Sequence, residues 1–224
     1  MSISSKVKST LERIEAKSKE IGVDPENINV VGASKYARAE QIREANSAGI
    51  KVFGENRVQD LLKKEQALKD LSLKWHFIGH LQTNKVKKIV GQVELIHSVD
   101  SIRLAEEINK RAHSQEKKQF VLLQANISLE SSKSGFEPSE SLQKAKDIAK
   151  LDGIKMKGLM TIAPFTNKEE ILRNHFNKSK KLFDVIKENI GDEFELLSMG
   201  MSNDFEIAME YGANILRLGS VLFK

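Results

Sequence analysis

Eight short runs rich in β-branched and apolar residues alternate with helical patterns along this chain, and no other feature restricts its fold as much. The runs are Ile28–Ser34, Lys51–Gly54, Lys74–Gly79, Glu94–Val99, Gln119–Ile127, Lys155–Ile162, Phe194–Met199 and Asn214–Leu218. Helical patterns lie between them, for example Ala39–Ala48, Val58–Leu71, Ser101–His113, Glu140–Leu151, Glu169–Asn189 and Asp204–Tyr211. Strands that alternate with helices pair in parallel, and eight such units are the number that closes a (β/α)8 barrel. The runs are mostly continuous in apolar character, as strands covered by helices should be. An open doubly wound sheet is the competing arrangement. Against it, the first run lacks a following Gly-x-Gly-x-x-Gly turn, and polar residues follow nearly every run rather than one switch point. Ahead of the first run, Val7, Leu11, Ile14 and Ile21 recur at near-helical spacing up to Gly22, with Asp24-Pro25 beyond. The expected fold is therefore α/β, a single TIM barrel with an extra N-terminal helix.

Composition agrees with one domain over residues 1–224. With 224 residues, 40% of them apolar, the chain can bury one large core, and Pro25, Pro138 and Pro164 are single loop punctuators rather than a linker. No stretch approaches the roughly 20 apolar residues of a membrane-spanning helix. The opening Met1-Ser2-Ile3-Ser4-Ser5-Lys6 has no signal-like apolar run, so a cytoplasmic location and no membrane partner are expected. The chain has no cysteine, which excludes disulfides, thiolate metal sites and a cysteine nucleophile, and its five histidines show no metal-ligand spacing. A net charge of +5 raises nucleic acid as a partner. The basic clusters Lys85-Val86-Lys87-Lys88, Lys117-Lys118 and Lys178-Ser179-Lys180-Lys181 lack the interleaved aromatics that base stacking requires, so they read as solvated helix faces. A small anionic ligand accounts for local positive potential equally well.

In a (β/α)8 barrel the C-terminal strand ends build the site. Here they supply Lys35, Glu55 and Asn56, His80 with Gln82 and Asn84, Ser98 and Asp100, Asn126 and Ser128, and Thr161. The last two ends supply Ser198-Met199-Gly200-Met201-Ser202 and Arg217-Leu218-Gly219-Ser220. Lysine forms Schiff bases with aldehydes, and desolvation at a barrel mouth favours its nucleophilic form; the alternative is an ordinary surface lysine. Gly200 and Gly219 let backbone approach a ligand and adopt positive φ where needed, and Ser202 stands where it can cap the helix near Asp204. Barrels commonly hold phosphate after strands seven and eight, so an amine at one end of the chain and a phosphate cradle at the other suit a phosphorylated aldehyde such as pyridoxal 5'-phosphate (PLP). Arg217 sits in the apolar run Ile215–Leu218, where an inward-facing charge needs a ligand or carboxylate; an outward or lid-facing arginine is the alternative. Asn56, His80, Gln82 and Asn84 either orient a substrate or cap loops.

These residues carry a resemblance. Ala33-Ser34-Lys35, Phe53-Gly54-Glu55-Asn56, the run from Trp75 to Lys85, Gly158-Leu159-Met160-Thr161, the run from Leu197 to Asp204, and Arg217-Leu218-Gly219-Ser220 appear in order along essentially the whole chain. In them the sequence resembles the PLP-binding homeostasis protein family, small alanine-racemase-like barrels of fold type III. The resemblance implies vitamin B6 chemistry: PLP as cofactor, held as an internal aldimine on Lys35. It further implies phosphate held by Met201, Ser202, Gly219 and Ser220, and Arg217 near the pyridine nitrogen, with Asn56 in the cofactor-binding set. An arginine there keeps that nitrogen unprotonated and weakens the ring as an electron sink. Two departures are small: Tyr36-Ala37-Arg38 lacks the proline of many relatives, and Ser220 replaces a frequent threonine.

The same family likeness shapes the expected activity. A racemase needs an acid/base group on each face of the substrate adduct. Lys35 is one, but full-length alanine racemases draw the second, a tyrosine, from a separate domain, whereas this chain ends at the barrel with Phe223-Lys224. Of its two tyrosines, Tyr36 is expected to point away from the site and Tyr211 to lie on the helix before strand eight. The expectation is a non-catalytic PLP carrier acting in PLP homeostasis, with PLP-dependent apo-enzymes as partners, no nucleic acid, and a monomeric state. A slow PLP-dependent amino-acid racemase is the alternative.

Overall fold

In the computed structural model, which describes residues 1–130 and 133–224, eight strands close into one parallel barrel in chain order. They are β1 (Asn29–Ala33), β2 (Val52–Glu55), β3 (Lys74–Phe77), β4 (Leu95–Val99), β5 (Gln119–Ala125), β6 (Ile154–Thr161), β7 (Leu196–Met201) and β8 (Ile215–Leu218). Each coincides with an expected run to within a few residues. Helices α1 (Ile3–Glu20), α2 (Ala39–Ser47), α3 (Val58–Ala67), α4 (Ile102–His113), α5 (Pro138–Ala149), α6 (Glu169–Ile190), α7 (Phe205–Glu210) and α8 (Ser220–Phe223) accompany them.

Helix α1 is the expected extra element. Ser2 caps it by accepting the Ser5 N–H at 3.1 Å, its buried face is Ile3, Val7, Thr10, Ile14 and Ser18, and Gly22 at φ +71° turns the chain out of it. Pro138 opens α5 as its first helical residue rather than punctuating a loop; its fixed φ and missing N–H suit that position. Between β3 and β4 a 3₁₀ segment, Thr83–Lys88, stands where the barrel pattern would put an α-helix. Val86, Ile89 and Val90 are buried there, but β-branched side chains and Gly91 at φ +78° shorten the segment.

Inside the barrel Val31, Leu95, Leu122, Met160 and Ile215 pack together, and the alternate residues face the helices in a larger outer cluster. Barrel closure rests on β1 pairing with β8, in register from Asn29 opposite Ile215 to Gly32 opposite Leu218. Gly200 takes φ +86° near a register shift between β7 and β8, and a Cβ there would lie 2.8 Å from the Ala208 Cβ. Glycine thus lets α7 lie directly on β7 and turns Met201 and Ser202 toward the strand ends.

Gly158 makes the closest approach in the sheet: a Cβ there would lie 1.7 Å from the Leu196 carbonyl oxygen. Gly158→Ala is expected to destabilise the protein by roughly 3 kcal/mol or more, because neither strand backbone can move aside without breaking the β6–β7 ladder. Urea unfolding measures this, and an unchanged midpoint would contradict the register.

Candidate functional site

A cavity of about 430 Å³ opens at the C-terminal ends of β1, β7 and β8, bordered by the segment Pro164–Thr166 after β6. Closure of the barrel brings the two ends of the sequence together here. Lys35 from the β1–α2 turn, Met201 and Ser202 from the end of β7, and Arg217, Gly219 and Ser220 from β8 onward all line it. Its size suits a small cofactor. Asn56 does not line it: that residue is half-buried after β2, with its backbone packed against Gly79. His80 pairs with Asp100 at 3.0 Å and, like Gln82 and Asn84, also lies outside the cavity lining.

The Lys35 side chain is exposed, so the protein by itself does not supply the desolvation expected of a barrel mouth. Its Nζ lies 4.8 Å from the centroid of the Tyr36 ring, a cation–π contact that places Tyr36 beside the amine, contrary to the expectation that it points away. By contrast, the backbone that carries Lys35 is clamped. Ser34 N–H donates to the Gly54 carbonyl at 3.0 Å, and Ser34 Oγ donates to Glu55 Oε1 at 2.6 Å. Lys64 Nζ from α3 donates both to that carboxylate and to the Ser34 carbonyl, each at 2.6 Å. Glu55 is fully buried, so this ion pair is a strong anchor only while it stays complete.

At the other side of the cavity, backbone N–H groups of Gly219 and Val221 converge on Ser202 Oγ, at 3.1 and 3.3 Å. Two amides and a hydroxyl meeting at one point form an anion cradle in which the serine oxygen occupies the acceptor position. Ser202 therefore does not cap α7; Asp204 precedes that helix, and its Oδ1 accepts the Met201 N–H at 2.6 Å. Gly219 has φ −119°, a negative value open to any residue, so of the two glycines singled out only Gly200 uses positive φ.

Arg217 faces inward and is buried. Its Nη1 donates to Ser198 Oγ at 2.6 Å and its Nη2 to the Thr161 carbonyl at 2.8 Å. Among the described residues no carboxylate lies within 4 Å of it. Burial lowers its pKa to about 10, an effect that the more distant Asp204 carboxylate opposes, so it stays cationic at neutral pH. Burial likewise raises the Asp204 carboxyl above its ordinary value, against the Met201 N–H and Arg217.

Sequence reasoning missed His76 and His97. Both are buried inside the barrel, with His97 Nε2 3.0 Å from His76 Nδ1 and His97 Nδ1 3.0 Å from Ser198 Oγ. The signal was available, since His97 interrupts the apolar run Leu95–Val99 just as Arg217 interrupts Ile215–Leu218. Burial pushes both histidines below their ordinary pKa, His97 well below it, and burial lowers His175 to about 4.

The whole chain has counterparts of known sequence or structure. The model of the alanine racemase N-terminal domain matches residues 11–224. A protein of Aquifex aeolicus named pyridoxal phosphate homeostasis protein is 46% identical over 213 residues, covering 95% of this chain and 93% of its own. A Bifidobacterium adolescentis structure superposes with a TM-score of 0.94 at 35% identity, covering 99% of this chain and 94% of its own. PipY of Synechococcus elongatus, solved with PLP bound, gives 0.83 at 31% identity, covering 94% and 100%. Alanine racemase of Clostridium difficile shares the fold, with a TM-score of 0.78 at 18% identity over 95% of this chain and 56% of that one.

Two outcomes are expected. Lys64→Met leaves a buried carboxylate without its cation and costs roughly 3–5 kcal/mol, of which the added Glu55→Gln change returns a large part; urea unfolding of the single and double variants checks this. The second concerns acid. Histidines with depressed native pKa stay neutral when folded but take a proton when unfolded below pH ~6.5, so stability is full above that pH and falls as pH drops. For His175, lowered to about 4, the slope approaches about 1.4 kcal/mol per pH unit between pH ~6 and ~5, and His76 and His97 steepen the fall in the same direction. A stability profile flat across that window would contradict their buried, neutral state.

Proposed function

The chain belongs to the alanine racemase N-terminal domain family and, within it, to the pyridoxal phosphate homeostasis proteins, and from that membership we propose that it binds PLP at Lys35 and takes part in PLP homeostasis. The observation that carries this is the meeting in one cavity of the Lys35 amine with a cradle built by the Ser202 hydroxyl and the Gly219 and Val221 amides. The residues fit the group. When bound, PLP supplies an aldehyde for the Lys35 amine and a phosphate for the cradle.

Lys35, on a turn kept in place by Glu55 and Lys64, would hold the cofactor through its amine. Met201, Ser202, Gly219 and Ser220 would receive the phosphate, to which Ser202 would offer its hydroxyl hydrogen. Arg217, which lines the cavity, would offer its remaining N–H groups to the ring. Residues 1–224 work as one PLP-binding domain.

We infer that binding and release, not turnover, is the main activity. Tyr36 at 77% and Phe165 at 94% exposure border an open mouth, which suits exchange with solution or with a PLP-dependent apo-enzyme. Racemisation needs a second acid across from the lysine, but Tyr36 stands beside Lys35, and the Asp204 carboxylate is engaged by the Met201 amide. Among the described residues no helix is long and apolar enough to cross a membrane.

The test is the absorbance spectrum of the purified protein with PLP, before and after borohydride, with peptide mass mapping of the reduced adduct. A visible band lost on reduction and a mass addition on Lys35, both missing in Lys35→Ala, are the expected results. No adduct at Lys35 would overturn the proposal. Amino acids incubated with the holoprotein in D₂O should retain their α-hydrogen; steady α-deuterium incorporation would favour a slow racemase instead.

A further inference from the structure

A line of hydrogen bonds, with one longer contact between a histidine and a carboxylate, crosses the barrel interior, and PLP binding itself does not call for it. It starts at Arg217, whose Nη1 donates to Ser198 Oγ at 2.6 Å. Ser198 Oγ lies 3.0 Å from His97 Nδ1, and His97 Nε2 lies 3.0 Å from His76 Nδ1. His76 Nε2 faces Glu94 Oε2 at 3.8 Å, and Glu94 Oε1 accepts from Lys74 Nζ at 2.9 Å. Arg217 lines the cavity at the C-terminal end of the barrel, whereas Glu94 and Lys74 stand at the N-terminal rim, at the start of β4 and β3. The line thus joins the two ends of the barrel.

Its direction follows from its ends. A guanidinium only donates, and a carboxylate only accepts. The His76 ring and Lys74 hold the Glu94 carboxyl at about 2, so it is ionised at neutral pH. Ser198 Oγ, having accepted from Arg217, gives its single hydrogen to His97 Nδ1. His97 then carries its own hydrogen on Nε2 and gives it to His76 Nδ1, and His76 carries its hydrogen on Nε2, toward Glu94. The reverse order would set a bare His76 nitrogen against the carboxylate and leave the Ser198 hydrogen without an acceptor. Every link therefore points the same way, and aligned links polarise one another.

Arg217 needs such support. It is buried, and no carboxylate lies within 4 Å among the described residues. A buried cation without a direct partner is costly, and oriented dipoles ending on a distant anion offset part of that cost. We propose that His97, relaying through Ser198 on one side and His76 on the other, is the positioning residue for Arg217, holding its guanidinium in the cavity, and that Glu94 at the opposite rim is the counter-charge of the site. The effect on bound cofactor rests on the PLP proposal; the orientation of the line does not.

The test has two stages. Nitrogen-15 NMR of histidine-labelled, cofactor-free protein at pH 7 should show His76 and His97 neutral with hydrogen on Nε2. An Nδ1–H form or an imidazolium at His97 would overturn the relay, whatever the protein does with PLP. PLP titration of variants follows. His97→Leu should weaken binding about tenfold, as loss of a hydrogen bond serving a charged group does, and shift the absorbance maximum of bound PLP. His97→Gln, which can accept and donate, should recover most of both. Glu94→Gln lies on the surface and does not rely on the core tolerating a new side chain; it should keep both histidine tautomers and shift the absorbance in the same sense by a smaller amount. Wild-type affinity and spectrum in His97→Leu, or an unmoved spectrum in Glu94→Gln, would reduce the line to core packing. A wild-type protein that fails to bind PLP would sink the cofactor proposal while leaving the NMR result standing.

Discussion

Pairing of β1 with β8 is the contact on which the rest depends. It sets Val31 beside Arg217 and Gly32 beside Leu218, and so carries the turn with Lys35 to the loop with Gly219 and Ser220. No local preference makes this contact. It joins the most distant strands of the chain, which makes it the contact with the largest loop to close, and it leaves the barrel without a free strand edge. Before closure there is a lysine at one end and an arginine at the other; after it they line one cavity.

The lysine combines an exposed tip with a fixed base. Ser34, the residue before it, has its amide, hydroxyl and carbonyl all engaged, by β2, by the buried Glu55 and by Lys64 of α3. The amine itself is exposed and rests against Tyr36. A side chain anchored at its Cα and held at its nitrogen only by an exposed aromatic contact can turn between solvent and cavity at small energetic cost. That mechanical property suits loading and release better than the sealed, dry surroundings that favour carbanion chemistry.

The barrel interior follows another rule. Much of it is filled with Val, Leu, Met and Ile, as barrel cores are, but His76, His97, Ser198 and Arg217 run among them from near the N-terminal rim to the cavity. Polar groups survive there because nearly every one finds a partner among the others. The resulting order of donors leads from a cation at the mouth to a carboxylate at the far rim, so the charge in the cavity is balanced along the length of the barrel rather than beside the cavity.

Much of this was legible in one dimension. Apolar runs of strand length separated by helical spacing determined an α/β barrel, because each periodicity records which faces must leave water. Punctuating residues such as Gly22 and Gly200 marked turns that only glycine adopts easily. Lys35, Ser202 and Arg217 were visible as polar residues at strand ends or inside apolar runs, and the ordered motifs around them identified the family. The tertiary structure decided what no periodicity encodes. Tyr36 lies beside Lys35, Asn56 falls outside the cavity, Ser202 serves the turn after β8 and the start of α8 instead of α7, and the segment before β4 is 3₁₀. His76 and His97 were passed over because each looks like a lone histidine in an apolar strand; only the curvature of a closed barrel, which turns inward-facing residues of different strands toward one axis, makes them neighbours of each other and of Arg217.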